Sequence, residues 1–139
     1  MTLRNSTIAR HTRLKRSTKS LPRTKKTPLA ALKRQADKLA GELCRRRGAC
    51  EKCGGKEYLS WAHMVSRRYH ATRWEDLNSF CLCRNCHAFF TYNPDRWIAW
   101  LMKNHAARYL LMERQSRELK KWNRWDMEKL IADLQTKLA

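Results

Sequence analysis

Two C-x-x-C pairs, Cys50/Cys53 and Cys83/Cys86, with 29 residues between them, constrain this 139-residue chain more than any other feature. Each pair presents two thiolates from one tight turn, and two such turns brought together supply the four sulfurs of a tetrahedral structural zinc site. Gly54-Gly55 lets the chain turn tightly behind the first pair. Disulfides would need an oxidising compartment, and the N-terminus lacks the apolar stretch of a secretory signal. A thioredoxin-like redox pair is weaker still, because its surrounding pattern is absent. Zn2+ is therefore the expected occupant, and the remaining Cys44 and Cys81 are expected as buried, inert thiols.

The residues between the two knuckles set the local fold. Lys56 to Val65 has strand composition, a polar, arginine-rich loop runs from Ser66 to Asn78, and Phe80-Cys81-Leu82 is a short apolar run. The second knuckle then opens a helix from Arg84 to about Thr91, carrying His87 directly after Cys86. A hairpin and one short helix are marginal on their own, whereas a structural zinc site adds about 10 kcal/mol or more. Tyr58 and Trp61 are expected to pack against the zinc base.

Helical periodicity flanks this core. Thr27-Pro28 is an N-cap and first position, Leu29, Leu32, Ala36, Leu39 and Leu43 form one stripe, and Gly48 ends the helix of residues 27–48. Arg45, Arg46 and Arg47 fall at its C-terminal end, where the helix dipole favours cations; capping and DNA contact are equally good readings of them. After Asn93-Pro94-Asp95, three helices are predicted within 94–139, carrying Trp97, Ile98 and Leu101, then Tyr109, Met112 and Leu119, then Met127, Leu130, Ile131, Leu134 and Leu138. Trp97, Trp100, Trp122 and Trp125 read as packing residues rather than base-stacking platforms. The C-terminal stripes are long enough to pair two chains as a homodimer, although packing back on the core is the expected use. Residues 27–139 thus read as one domain.

Charge points to the partner. Lys and Arg number 31 against 12 Asp and Glu, a net +19, and residues 1–36 hold eleven basic residues and no acid. Residues 1–26 read as a disordered basic arm suited to phosphate backbones; a mitochondrial transit peptide would share that composition, but no amphipathic face is visible. No apolar run reaches the ~18 residues of a membrane span, so a cytoplasmic, nucleic-acid-binding protein with no membrane association is expected.

The run Cys50-x-x-Cys53, Trp61-Ala62-His63, Asn78, Leu82-Cys83-x-x-Cys86-His87 resembles the HNH (ββα-metal) endonucleases, in the zinc-stapled form common in bacteriophages, over about residues 50–93. The 15- and 9-residue steps from His63 to Asn78 to His87 match that family's usual spacing. A weaker similarity is to the NinG (Rap) branched-DNA nucleases of lambdoid phages, which share a basic N-terminus and a Cys-rich core. The resemblance implies an α+β fold, with a zinc-stapled core of 50–93 between the N-terminal helix and the C-terminal helices. It also implies a phage-encoded hydrolase of DNA phosphodiester bonds, working in the host cytoplasm on branched or nicked DNA.

Carried onto this chain, the family roles make His63 the general base, Asn78 the residue that fixes the loop and the imidazole, and His87 the ligand of a catalytic Mg2+ or Mn2+. The chemistry suits these residue types, since a neutral imidazole accepts a proton from water near neutral pH. Arg67, Arg68 and Arg73, in the loop after His63, are the expected phosphate and DNA contacts. Two positions depart from the pattern: Ala62 stands where many members have Asp or His, and Thr91 where many have a second His. Asp76, Asn78, Asn85 or His70 could assist the ion, and nothing in their spacing selects among them. His11 and His105 read as incidental. The competing reading is a catalytically inactive zinc module that binds DNA or RNA as an accessory in recombination or packaging.

Overall fold

Pro28 opens the first element of the computed structural model, which describes residues 28–139; the basic arm of 1–26 lies outside them. The fold is α+β. In chain order come α1 (Pro28–Arg45), β1 (Leu59–His63), a 3₁₀ turn (Asp76–Asn78), β2 (Ser79–Cys83), α2 (Arg84–Tyr92), α3 (Pro94–Ser116) and α4 (Arg124–Leu138). The strands form one antiparallel ladder in which Trp61 faces Cys81 and His63 faces Ser79.

Side-chain alternation along the strands separates two cores. Ala62 and Met64 join Phe80, Leu82, Cys50, Cys86, Phe90, Leu101 and Met112 on one side. Trp61 points to the other, where Ala36 and Ala40 of α1 meet Met127, Ile131 and Leu134 of α4, with Trp74 between. Because both faces are covered, the first four residues of β2 are all buried, which is why its sequence is a continuous apolar run rather than an alternating one.

The leucine stripe of α1 packs against α4 as its periodicity requires, and the chain leaves the helix through Gly48 at φ 79°, a left-handed position that suits glycine. The Arg46 guanidinium reaches the Leu138 carbonyl, so it caps the end of α4 rather than of its own helix. At the other end of α4, Asn123 accepts from Asp126 N–H at 2.9 Å and the Asp126 carboxylate accepts from Asn123 N–H, a capping box.

The three C-terminal helices expected are present: α3 breaks into two helical halves at His105, whose angles are non-helical (φ −143°, ψ 31°), and α4 is the third. The His105 ring packs 4.9 Å from both Phe80 and Trp100, and Leu101 and Met112, on either side of the kink, enter the same core. Trp97 and Trp100 stack on each other against Phe80 and Phe90, and Trp122 packs edge-on against Trp74, as expected of packing residues. Trp125 and Leu119 differ: the first is 68% exposed and the second wholly so, because the capping box and the linker before it turn both outward. Ile98 is likewise partly exposed. The α4 stripe, long enough to pair two chains, is covered by α1. Among the described residues, no helix is long and apolar enough to cross a membrane.

Candidate functional site

The two knuckles converge. The sulfurs of Cys50, Cys53, Cys83 and Cys86 all lie within 4.8 Å of one another. Cys53 Sγ and Cys83 Sγ are 3.7 Å apart, close to the ~3.8 Å edge of a tetrahedron with metal–sulfur bonds of about 2.3 Å. Backbone geometry prepares the first turn, with Cys50 N–H donating to Gly55 O at 2.7 Å, Gly54 at φ 76° and Gly54 N–H donating to Cys50 O. Glu51 N–H then donates to Cys81 O at 2.8 Å, tying this turn to β2, and Lys52 Nζ sits over the Phe89 and Phe90 rings of α2.

Electrostatics fit a cation here. Burial alone would raise the Cys50 thiol, but backbone N–H groups of Cys83, Cys53 and Lys52 bring it down to about 6. Burial and the three neighbouring sulfurs push Cys86 far up. Four thiolates therefore need a positive ion among them, and the set fits a metal such as zinc. Cys44 and Cys81 stand apart as the buried pair expected of inert thiols; burial raises both, Cys81 to about 11. The expected packing on the zinc base differs from what is found: Tyr58 is 78% exposed, and Trp61 belongs to the α1–α4 core because its strand parity points away from the knuckles.

His63, at the end of β1, and His87, in α2, line one groove of about 510 Å³, together with Ser66, Thr91 and Trp97. Each imidazole has one nitrogen fixed. His63 Nε2 lies 3.1 Å from the Arg73 carbonyl, and because a carbonyl only accepts, Nε2 carries the proton and Nδ1 is the basic nitrogen. Ser60 Oγ donates its single proton to Leu82 O at 2.8 Å and lies 2.9 Å from His87 Nδ1. The hydroxyl must then accept from Nδ1–H, which leaves His87 Nε2 unprotonated. Burial holds both rings below the ordinary histidine value of 6.5, so both are neutral near pH 7.

Asn78 is fully buried and bonds to Val65 and Thr72, so it fixes the loop. The imidazole of His63 is oriented by the Arg73 backbone instead. Asp37 of α1 makes that possible: its carboxylate accepts Arg73 Nε–H at 3.0 Å and a second guanidinium N–H, and it accepts Trp74 Nε1–H at 2.9 Å. Sequence reasoning missed both Asp37 and Ser60. Only a hydroxyl within the strand run could have hinted at the second, and nothing local marks the first, whose partners lie 36 and 37 residues away.

The expected DNA-contacting arginines divide. Arg73 is held by Asp37, and Arg47 by Glu51, Asp76 and Ser79 O. Arg46 is held by Glu42 and Leu138 O. Arg45, Arg67 and Arg68 are exposed and form no salt bridge among the described residues, and Arg67 is near enough to His63 to lower its proton affinity. Ala62 is buried in the core, and the Thr91 hydroxyl donates to His87 O at 2.8 Å, so neither adds a nitrogen or carboxylate ligand beside His87. Compared with family models, curated proteins and solved structures, the chain matches none.

Proposed function

We propose that this chain is a zinc-stapled, metal-dependent endonuclease of the HNH type that hydrolyses DNA phosphodiester bonds. The observation carrying this reading is the pair of neutral imidazoles on one groove, each with its N–H fixed by an acceptor and its other nitrogen open for chemistry. His63 Nδ1 takes the proton from the attacking water, and the Arg73 carbonyl steadies the imidazolium that results. His87 Nε2 would hold a divalent cation, and its Nδ1–H on Ser60 is the orienting bond such ligands use. When bound, Mg2+ or Mn2+ supplies charge stabilisation to the phosphate and the leaving oxygen. With a single imidazole in reach, the donor set suits a hard ion that keeps most of its shell as water.

DNA is held by the surface around the Ser66–Asn78 loop. Trp122 Nε1 donates to His70 O at 2.9 Å, docking the α3–α4 linker with its Lys120 and Lys121 beside the loop that carries Arg67 and Arg68. Lys33 of α1 lies close enough to lower the proton affinity of His70. These cations, with the ten other basic residues of 1–36, favour a polyanionic backbone. Phage origin, host-cytoplasmic location and action on branched or nicked DNA follow from the resemblance alone, and zinc is the expected metal of the four thiolates. The absence of ligands at Ala62 and Thr91 favours one other reading, an inactive zinc-binding DNA/RNA accessory protein.

Incubation of supercoiled plasmid and a four-way junction with zinc-loaded protein and Mg2+, Mn2+ or no added metal decides between them. Cleavage that requires added metal is expected; zinc-loaded protein that binds DNA and cuts neither substrate favours the accessory.

A further inference from the structure

A second open groove, about 500 Å³, adjoins the first, and His87 and Thr91 line both. Anything bound against His87 in one groove therefore has a neighbour in the other. The second groove is lined by Tyr58 and Tyr92, which are 78% and 84% exposed, and by Arg84, which is exposed and forms no salt bridge among the described residues. Neither tyrosine contributes to a core. Tyr58 also sits at φ 52°, a left-handed conformation disfavoured for a residue with a Cβ, and its carbonyl accepts Arg84 N–H at 3.0 Å. The strained backbone thus holds one ring and the guanidinium-bearing residue at the same rim.

Aromatic faces in water beside an unpaired cation match one ligand chemistry well. A nucleobase stacks on tyrosine whatever its identity, and the adjoining phosphate finds the arginine. Bases inside a continuous duplex have no free faces to offer. We infer that this groove is a subsite for an unpaired nucleobase next to the scissile phosphate, which makes DNA with single-stranded or branched character the favoured substrate. The position next to the reacting phosphate rests on the nuclease reading above; the stacking of an unpaired base does not.

The test uses the full, zinc-loaded chain with no added Mg2+ or Mn2+, so that no metal-dependent cleavage proceeds, and with 2-aminopurine placed in a single-stranded oligonucleotide or in a blunt duplex of the same sequence. Wild type is expected to bind the unpaired strand more tightly and to change its fluorescence on stacking. Tyr58→Ala and Tyr92→Ala should each weaken that binding by about fivefold or more, leaving duplex binding unchanged. Tyr92→Phe should retain wild-type behaviour, as should Trp125→Ala, an exposed aromatic outside the groove. Alanine variants with full zinc content that bind both DNAs as wild type does, or lose both equally, overturn the subsite. Cleavage assays separate the two claims: an active enzyme indifferent to the tyrosines loses only the subsite, whereas an inactive protein that still stacks unpaired bases loses only the nuclease reading.

Discussion

The side-chain amide of Asn78 pairs with both backbone groups of Val65: Oδ1 accepts from Val65 N–H at 2.7 Å and Nδ2 donates to Val65 O at 2.9 Å. A side chain thus acts as the strand partner that Val65, just past the end of β1, would otherwise lack. The second Nδ2 proton reaches Thr72 O at 3.0 Å, so one residue ties the start of the loop between the strands to its end and holds its middle.

Asn78→Ala would leave these backbone groups unpaired in a fully buried site, at a cost of about 1–3 kcal/mol for each. Asn78→Asp is expected to be no better, because a carboxylate oxygen would face the Val65 and Thr72 carbonyls where an amide now donates. Urea denaturation of zinc-loaded protein measures this; an aspartate variant as stable as wild type at pH 7 would contradict the assignment.

Asp37 acts on His63 at one remove, through Arg73. Asp37→Ala releases both the Arg73 guanidinium and the Trp74 indole, and with them the carbonyl that orients the imidazole. Cleavage should fall roughly tenfold or more through misplacement of the base, with zinc content unchanged. Asp37→Glu should recover part of the loss, and the pH midpoint of the residual activity should move. An alanine variant with unaltered rate and pH profile would remove Asp37 from the site.

Four of the six cysteines are assigned to metal. Single Cys→Ser changes at Cys50, Cys53, Cys83 or Cys86 should abolish stoichiometric zinc and unfold the hairpin, since the metal contributes about 10 kcal/mol or more. Cys44→Ala and Cys81→Ala should keep one zinc per chain and lose only packing energy. Elemental analysis with near-ultraviolet circular dichroism reads both; loss of zinc from the Cys44 or Cys81 variants would mean the wrong four were chosen.

The knuckles, the hairpin and the helix carrying His87 were legible because their signals are local: ligand spacing, strand composition and a helix start within a few residues. The core of α1 was legible for the same reason, its leucines recurring at helical period. What escaped was decided at long range. Asp37 is one of several charges on α1 until the fold brings Arg73 and Trp74 to it. His105, read as incidental, sits at the break between the two halves of α3 with its ring against Phe80 and Trp100, a role set by the fold. Trp125 and Tyr58 read as packing residues by type, and only the capping box and the left-handed turn at Tyr58, ahead of β1, leave them in solvent.

Acid should act on activity and stability together. Burial lowers His63 below 6.5, against the opposing pull of the Arg73 carbonyl. The neutral base is then fully available at pH 7, and cleavage should decline only as pH falls through a midpoint below 6.5. The folded state prefers the neutral ring, so its contribution to stability is complete above the unfolded value of 6.5 and is lost as pH drops through the lower folded value. His63→Gln should remove that part of the pH slope; a midpoint at or above 6.5 would contradict burial as the dominant influence.

The most direct measurement is the single-turnover cleavage rate, in saturating Mg2+ or Mn2+, of wild type beside His63→Ala at matched zinc content and matched DNA affinity. Loss of a general base predicts a drop of ~10²–10⁴ in rate with binding retained. Equal rates from the two proteins would contradict the account, because the imidazole assigned as the base would then have no part in the chemistry.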